Sequence, residues 1–161
     1  MNIAVSSDHR GRDVAEQIGR FLRELGHDVL ASMPVEGEPS DYPDKAAEVG
    51  RAVADKRADA GVLICGTGIG MSIAANKIPG VRAALVHDEL TAGLAKSHNN
   101  ANVLCLSGDL LGERKIAAII EKWLDTEFEG GRHGRRVEKI SAIEKGACQT
   151  DACEPGEPAG A

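Results

Sequence analysis

The run Gly61-Val62-Leu63-Ile64-Cys65-Gly66-Thr67-Gly68-Ile69-Gly70 joins a fully apolar segment to a loop with glycine at every second position. Apolar residues on both faces of a short segment predict a strand buried on both sides, as in a parallel sheet. Gly66, Gly68 and Gly70 let the backbone turn successive N–H groups toward one point, an arrangement that binds anions. A short helix is expected over Ile69 to Asn76, opening at the same place. Such a loop can hold either a phosphate or an enediolate oxygen. It lacks the G-x-G-x-x-G spacing of a dinucleotide fingerprint, and no acidic residue follows at the expected distance.

Outward from this loop, the pattern alternates. Ile3 to Ser6 reads as a first strand and Asp8-His9-Arg10-Gly11 as a loop. Val14, Ile18, Phe21, Leu22 and Leu25 recur at helical spacing, and Gly26 is a natural stop. Val29-Leu30 begins a second strand. Residues 32–43 contain three prolines and a glycine and read as a loop. A helix is expected from Pro43 to Lys56, a strand from Val81 to Val86, and a helix of small residues from Glu89 to Ser97. Val103 to Leu106 is a fifth strand. Ile116, Ile119, Ile120, Trp123 and Leu124 mark one further helix, and Val137, Ile140 and Ile143 mark the last. Strands alternating with helices predict an α/β fold, a parallel sheet covered on both faces with right-handed crossovers. From about Gly146 the pattern gives way to Gln, Thr, Asp, Glu, Pro and Gly, so residues 146–161 are expected to be a disordered tail after one domain over 1–145.

Composition narrows the function. The 161 residues are 42% apolar but only 2% aromatic, which suits an aliphatic core and suits base stacking poorly. A net charge of −6 argues against nucleic acid or an anionic membrane as partner. Met1-Asn2-Ile3-Ala4-Val5 has neither a basic region nor a long apolar stretch, and the cytoplasm is the expected location. The four cysteines, Cys65, Cys105, Cys148 and Cys153, fit no zinc pattern. Cys105 falls inside an apolar strand and reads as core. Cys65 adjoins loop amides and a helix start, surroundings that favour a thiolate able to act as base or nucleophile.

Ligands of open parallel sheets bind at the carboxyl ends of the strands. Ser7-Asp8-His9 and the Cys65 loop fall there. Ser97-His98-Asn99-Asn100 precedes the fifth strand and lies at the other end of it, so it has to reach a site from a helix end or polar turn. Asp8 can alternatively cap the helix that starts near Gly11. Glu129-Gly130-Gly131-Arg132-His133-Gly134-Arg135-Arg136 is a basic cluster in an otherwise acidic chain. On a helix Arg132 and Arg136 share one face, and paired guanidinium groups suit phosphate.

Taken in order, several segments closely resemble ribose-5-phosphate isomerase type B, within the ribose and galactose phosphate isomerases. They are Ser7-Asp8-His9, Asp41-Tyr42-Pro43, Leu63 to Lys77, Gly80-Val81-Arg82-Ala83, His98 to Leu104, and Glu129-Gly130-Gly131-Arg132-His133 with Arg136-Val137. The resemblance runs from Ile3 to Lys145. It implies a Rossmann-like three-layer α/β/α sandwich on a five-stranded parallel sheet, with neither metal nor organic cofactor. It also implies interconversion of ribose 5-phosphate and ribulose 5-phosphate. Carried over, Cys65 is the base at carbon 2. His98 assists ring opening with Asp8 nearby, and Thr67 shuttles the hydroxyl proton. The amides of Gly66, Gly68, Ile69 and Gly70 hold the enediolate. Asn99 contacts the sugar, and His9, Arg132 and Arg136 bind the phosphate. The family site lies at a dimer interface, which implies a homodimer or a dimer of dimers with arginines supplied across it.

One position departs from the family. Many members carry Arg after Ser107-Gly108, whereas this chain has Asp109. Asp109 either meets a sugar hydroxyl or faces away from the phosphate. The same chemistry on a hexose 6-phosphate, such as galactose or allose 6-phosphate, is the alternative. A sugar-phosphate sensor on this scaffold would need neither Cys65 nor His98, and a redox enzyme would need the C-x-x-C partner that Cys65 lacks.

Overall fold

A computed structural model describes residues 1–35 and 39–147. The expected tail, with Cys148 and Cys153, falls outside the described residues from 148 onward. The elements in chain order are β1 (Asn2–Ser7), α1 (Arg12–Glu24), β2 (Asp28–Ser32), α2 (Tyr42–Ala54), β3 (Ala60–Cys65) and α3 (Ile69–Ala75). There follow β4 (Ala83–Leu85), α4 (Glu89–Asn99), β5 (Val103–Ser107), α5 (Glu113–Leu124) and α6 (Gly131–Glu144). The five strands form one sheet in the order β2-β1-β3-β5-β4, parallel throughout.

Alternation along each central strand builds the three layers. Ile3, Val5, Val62, Ile64, Leu104 and Leu106 point into a core with α1, α4 and α5, closed by Trp123. Their neighbours Ala4, Leu63, Cys65, Val103 and Cys105 point to the other face, against α2 and α3. Successive strand side chains face opposite ways, so one apolar run serves both cores. β3 is buried at all six positions, as its sequence predicts.

Three elements differ from the sequence expectation by two residues at one end. The fourth strand is Ala83–Leu85 rather than Val81 to Val86. At its start, Arg82 N–H donates to Asn102 Oδ1 at 2.8 Å and Ala83 N–H to Asn76 Oδ1 at 2.9 Å. Side-chain amides thus satisfy the backbone that a longer ladder would have used. α2 starts one residue earlier, at Tyr42, and ends at Ala54 instead of Lys56, whose φ is +63°. α4 runs two residues past Ser97, so His98 and Asn99 belong to its last turn, and Asn100 closes it in the left-handed conformation. Among the described residues, no helix is long and apolar enough to cross a membrane.

Candidate active site

Cys65 ends β3 and is 5% exposed. The chain turns back over the thiol, and Gly68 N–H donates to Sγ at 3.1 Å. A thiolate accepts such a bond more strongly than a thiol does. The turn requires φ of +78° at Gly68. A methyl group there would lie 2.6 Å from Leu85 Cδ1 and 3.0 Å from the Leu106 carbonyl carbon. Both the conformation and the close approach therefore call for glycine. Thr67 is exposed beside the turn, and its Oγ1 accepts from Ile69 N–H at 3.3 Å. Burial pushes the Cys105 thiol far above the ordinary range, consistent with a core role.

Asp8 follows β1 at the same edge and is buried. Its Oδ1 accepts from the N–H groups of Arg10 and Gly11, each at 3.0 Å. Its own N–H donates to Ile64 O at 3.2 Å. Asp8 therefore braces the turn ahead of α1, and α1 itself has no side-chain cap. His9 is exposed, with Nδ1 3.3 Å from Ser40 O. Tyr42 also reaches the loop: its ring stands where a side chain on Gly70 would go. Asp109 meets the same loop from β5. Its N–H donates to Gly66 O at 3.2 Å, and its Oδ2 lies 2.5 Å from Arg10 Nη2.

The other predicted residues gather elsewhere. His98, in the last turn of α4, stacks on His133 of α6, with ring centroids 4.0 Å apart and planes 6° apart. The Glu129 carboxylate spans both, 3.8 Å from His98 Nε2 and 3.5 Å from His133 Nε2. Glu129 is itself anchored by its N–H to Ser97 O at 3.0 Å. Arg132 Nε donates to His133 Nε2 at 3.2 Å. Arg132 and Arg136 are exposed one turn apart on α6, as their spacing predicts. Asn99 is exposed, and its carbonyl and that of Asn100 accept from Arg82 Nε at 3.1 and 2.9 Å. Burial, then the neighbouring His98 and Arg132, hold His133 below the usual imidazole range.

His98, Glu129 and His133 form the one group among the described residues with metal-ligand spacing, their ligand atoms within 4.8 Å of one another. The geometry is poor for a cation. Arg132 already occupies His133 Nε2, the rings are parallel rather than convergent, and two guanidinium groups are nearby.

The expectation that His98 works beside Asp8 and Cys65 is not met within one chain. Gly61 N–H donates to Asn102 O and Asn102 N–H to Arg82 O. These bonds tie the α4–β5 connection to the starts of β3 and β4, whereas Cys65 closes β3. A six-residue strand spans roughly 17 Å. The cause is the crossover itself: α4 runs back against the strands and delivers His98 to the opposite edge. Sequence reasoning also overlooked Arg10, Glu129 and His133 as neighbours of site residues. Nearness in the chain to Asp8 and to Arg132 was the available signal. The Arg10–Asp109 pairing spans 99 positions and had none.

A family model described as Ribose/Galactose Isomerase matches residues 3–140. Ribose-5-phosphate isomerase B of Escherichia coli (strain K12) is 42% identical over 143 residues, which cover 89% of this chain and 96% of that protein. The fold matches the ribose-5-phosphate isomerase B of Clostridium thermocellum with a TM-score of 0.89 at 42% identity, over 92% of this chain and 100% of that one. It matches that of Mycoplasma genitalium, solved with bound ribulose-5-phosphate, with a TM-score of 0.85 at 44% identity, over 89% and 96%.

Proposed function

This chain belongs to the ribose/galactose isomerase family, and from that premise we propose that it interconverts ribose 5-phosphate and ribulose 5-phosphate. The observation that carries the reading is the Gly68 N–H on Cys65 Sγ, inside the Gly66–Gly70 loop and next to the buried carboxylate of Asp8. Aldose–ketose exchange needs a positioned base, donors for a developing oxyanion and a remote anchor.

In this reading the ring opens first, with His98 and Asp8 moving the proton between O1 and the ring oxygen. Cys65 then takes the proton from carbon 2. Charge develops on the carbonyl oxygen and is met by the N–H groups of Gly66, Gly68, Ile69 and Gly70. Thr67 transfers the hydroxyl proton between O2 and O1, and Cys65 returns its proton to carbon 1. Arg132, Arg136 and His9 hold the phosphate, while Asn99 and Asp109 meet the carbon chain.

The two halves stand at opposite edges of one sheet, so we assign the second half to a second copy of the chain. His98, Asn99, Arg132 and Arg136 of one subunit would face Cys65 and Asp8 of the other, in a homodimer or a dimer of dimers. Exposed apolar side chains on α3, α4 and α6 support such an association: Ile69, Ile73, Leu94, Ile140 and Ile143. The domain responsible is residues 1–145.

The test is a substrate panel on the purified chain, with ribose 5-phosphate set against allose and galactose 6-phosphates. Turnover of ribose 5-phosphate with the highest kcat/KM is the expected result. A strong preference for a six-carbon substrate would reject the pentose assignment, and no isomerisation of any would reject the enzyme.

A further inference from the structure

The Arg10–Asp109 pair stands over the anion-binding loop without a structural reason to be there. Arg10 is 60% exposed and Asp109 37% exposed. An ion pair so open to water adds little to stability. Yet its position is defined from every side. The Arg10 backbone N–H is fixed on Asp8 Oδ1 at 3.0 Å. The Asp109 N–H is fixed on Gly66 O at 3.2 Å, and Ser107 Oγ donates to that same oxygen at 2.6 Å. The two side chains then meet directly above Gly66. A methyl group on Gly66 would lie 2.9 Å from Asp109 Oδ2 and 3.1 Å from Arg10 Nε. Asp8, Arg10, Asp109 and Gly66 are thus linked in series at the mouth of the Cys65 loop.

A lone guanidinium here would serve as a phosphate ligand. Paired with a carboxylate at 2.5 Å it presents no net charge, and the carboxylate repels a phosphate that approaches it. What the pair offers outward is a fork of N–H donors beside carboxylate acceptor positions, a chemistry that suits neutral hydroxyl groups, each of which donates and accepts. We propose that Arg10 and Asp109 form a donor–acceptor clamp that reads hydroxyls on the carbon chain of a sugar phosphate, and so set its specificity without holding its phosphate. Arg10 is the donor and Asp109 the acceptor, and each positions the other. The proposal rests on the isomerase reading for its substrate, and on the geometry alone for its chemistry.

The experiment compares the full chain with Arg10→Ala, Asp109→Ala and the double variant. It reads ribose 5-phosphate kinetics, competitive inhibition by inorganic phosphate, and calorimetric binding of ribitol 5-phosphate, which has hydroxyls and phosphate but cannot isomerise. Each single variant is expected to raise KM about tenfold and to leave kcat within about threefold. The double variant should be no worse than the weaker single, because the two groups act as one unit. The inhibition constant of inorganic phosphate should stay within about twofold of wild type in Arg10→Ala and in the double variant, and should fall only in Asp109→Ala, which leaves the guanidinium unpaired. Arg10→Lys keeps the charge but loses the fork and should restore only part of the affinity.

An unchanged KM in Arg10→Ala overturns the clamp. So does an inhibition constant for phosphate that rises in step with KM, which would make Arg10 a phosphate ligand. Absence of turnover in the wild type would remove the isomerase reading alone. Calorimetry still reads the clamp in that case, since weaker ribitol 5-phosphate binding with unaltered phosphate binding supports it and equal losses overturn it.

Discussion

His98 and His133 stack face to face at 4.0 Å, with Glu129 reaching the Nε2 atoms of both rings. Two protonated imidazoles at this distance would repel, and His133 is the buried one, 4% exposed. Its affinity for a proton is lowered by that burial and by His98 and Arg132, so the folded chain disfavours its charged form. The unfolded chain protonates it below about pH 6.5. The stability tied to the neutral ring is therefore complete above that pH, and it is lost as the pH falls through the lower folded value. Urea unfolding at about pH 7.5 and about pH 5.5 should show a larger fall for wild type than for His133→Asn. Equal falls would mean that His133 titrates alike in both states.

The proposed division of the site between two subunits of a dimer is tested by mixing. Cys65→Ala and His98→Ala homodimers should each be nearly inactive. After unfolding and refolding together, half the dimers are mixed, and each mixed dimer carries one intact site and one doubly damaged one. Activity should recover to about a quarter of wild type. Failure to recover, with mixed dimers demonstrated by native mass spectrometry, would place both residues in one subunit's site.

Cys65 and Cys105 should differ sharply as nucleophiles. Iodoacetamide followed by peptide mapping should label Cys65 in step with loss of activity, while Cys105 stays unlabelled until the fold opens. Cys65→Ala should lower kcat by about 10²- to 10⁴-fold, the range general base catalysis supplies. Undiminished turnover in that variant would remove Cys65 from the role of base.

Gly68→Ala places a side chain at φ +78° and 2.6 Å from Leu85. The left-handed conformation alone costs about 1–2 kcal/mol, and the contact adds to it. Denaturant titration should show a loss of at least that size. The Gly68 N–H will also move off Cys65 Sγ, so kcat should fall in the fraction that remains folded. A variant as stable and as active as wild type would show that the loop tolerates another path.

Arg132→Ala and Arg136→Ala should each raise KM for ribose 5-phosphate about tenfold or more and weaken inhibition by inorganic phosphate in parallel. This is the opposite pattern to that expected of Arg10→Ala, and steady-state kinetics on the three variants separates anchor from clamp. An unaltered Michaelis constant in Arg136→Ala would remove it from the phosphate.

Most of the fold could be read from local pattern. The Gly61 to Ile64 run, the helical recurrence from Val14 to Leu25 and the turn residues between elements depend on near neighbours in the chain. Burial on two faces then dictates a parallel sheet. The Cys65 loop was legible for the same reason, because its glycines and its thiol lie within six consecutive positions. The fourth strand was overestimated because Asn76 and Asn102 take over its backbone bonds from outside the segment. No pattern around Val81 signals that.

Sequence by itself determined the class of fold, the loop that holds Cys65 and the pairing of Arg132 with Arg136 on one helical face, since spacing along the chain sets each of these. Tertiary structure alone decided which residues share an edge of the sheet. Direction is the physical reason. Every crossover helix runs against its strands, so residues close in the chain, such as His98 and Val103, turn back to the starting edge, while Arg10 and Asp109, 99 positions apart, arrive together above Gly66.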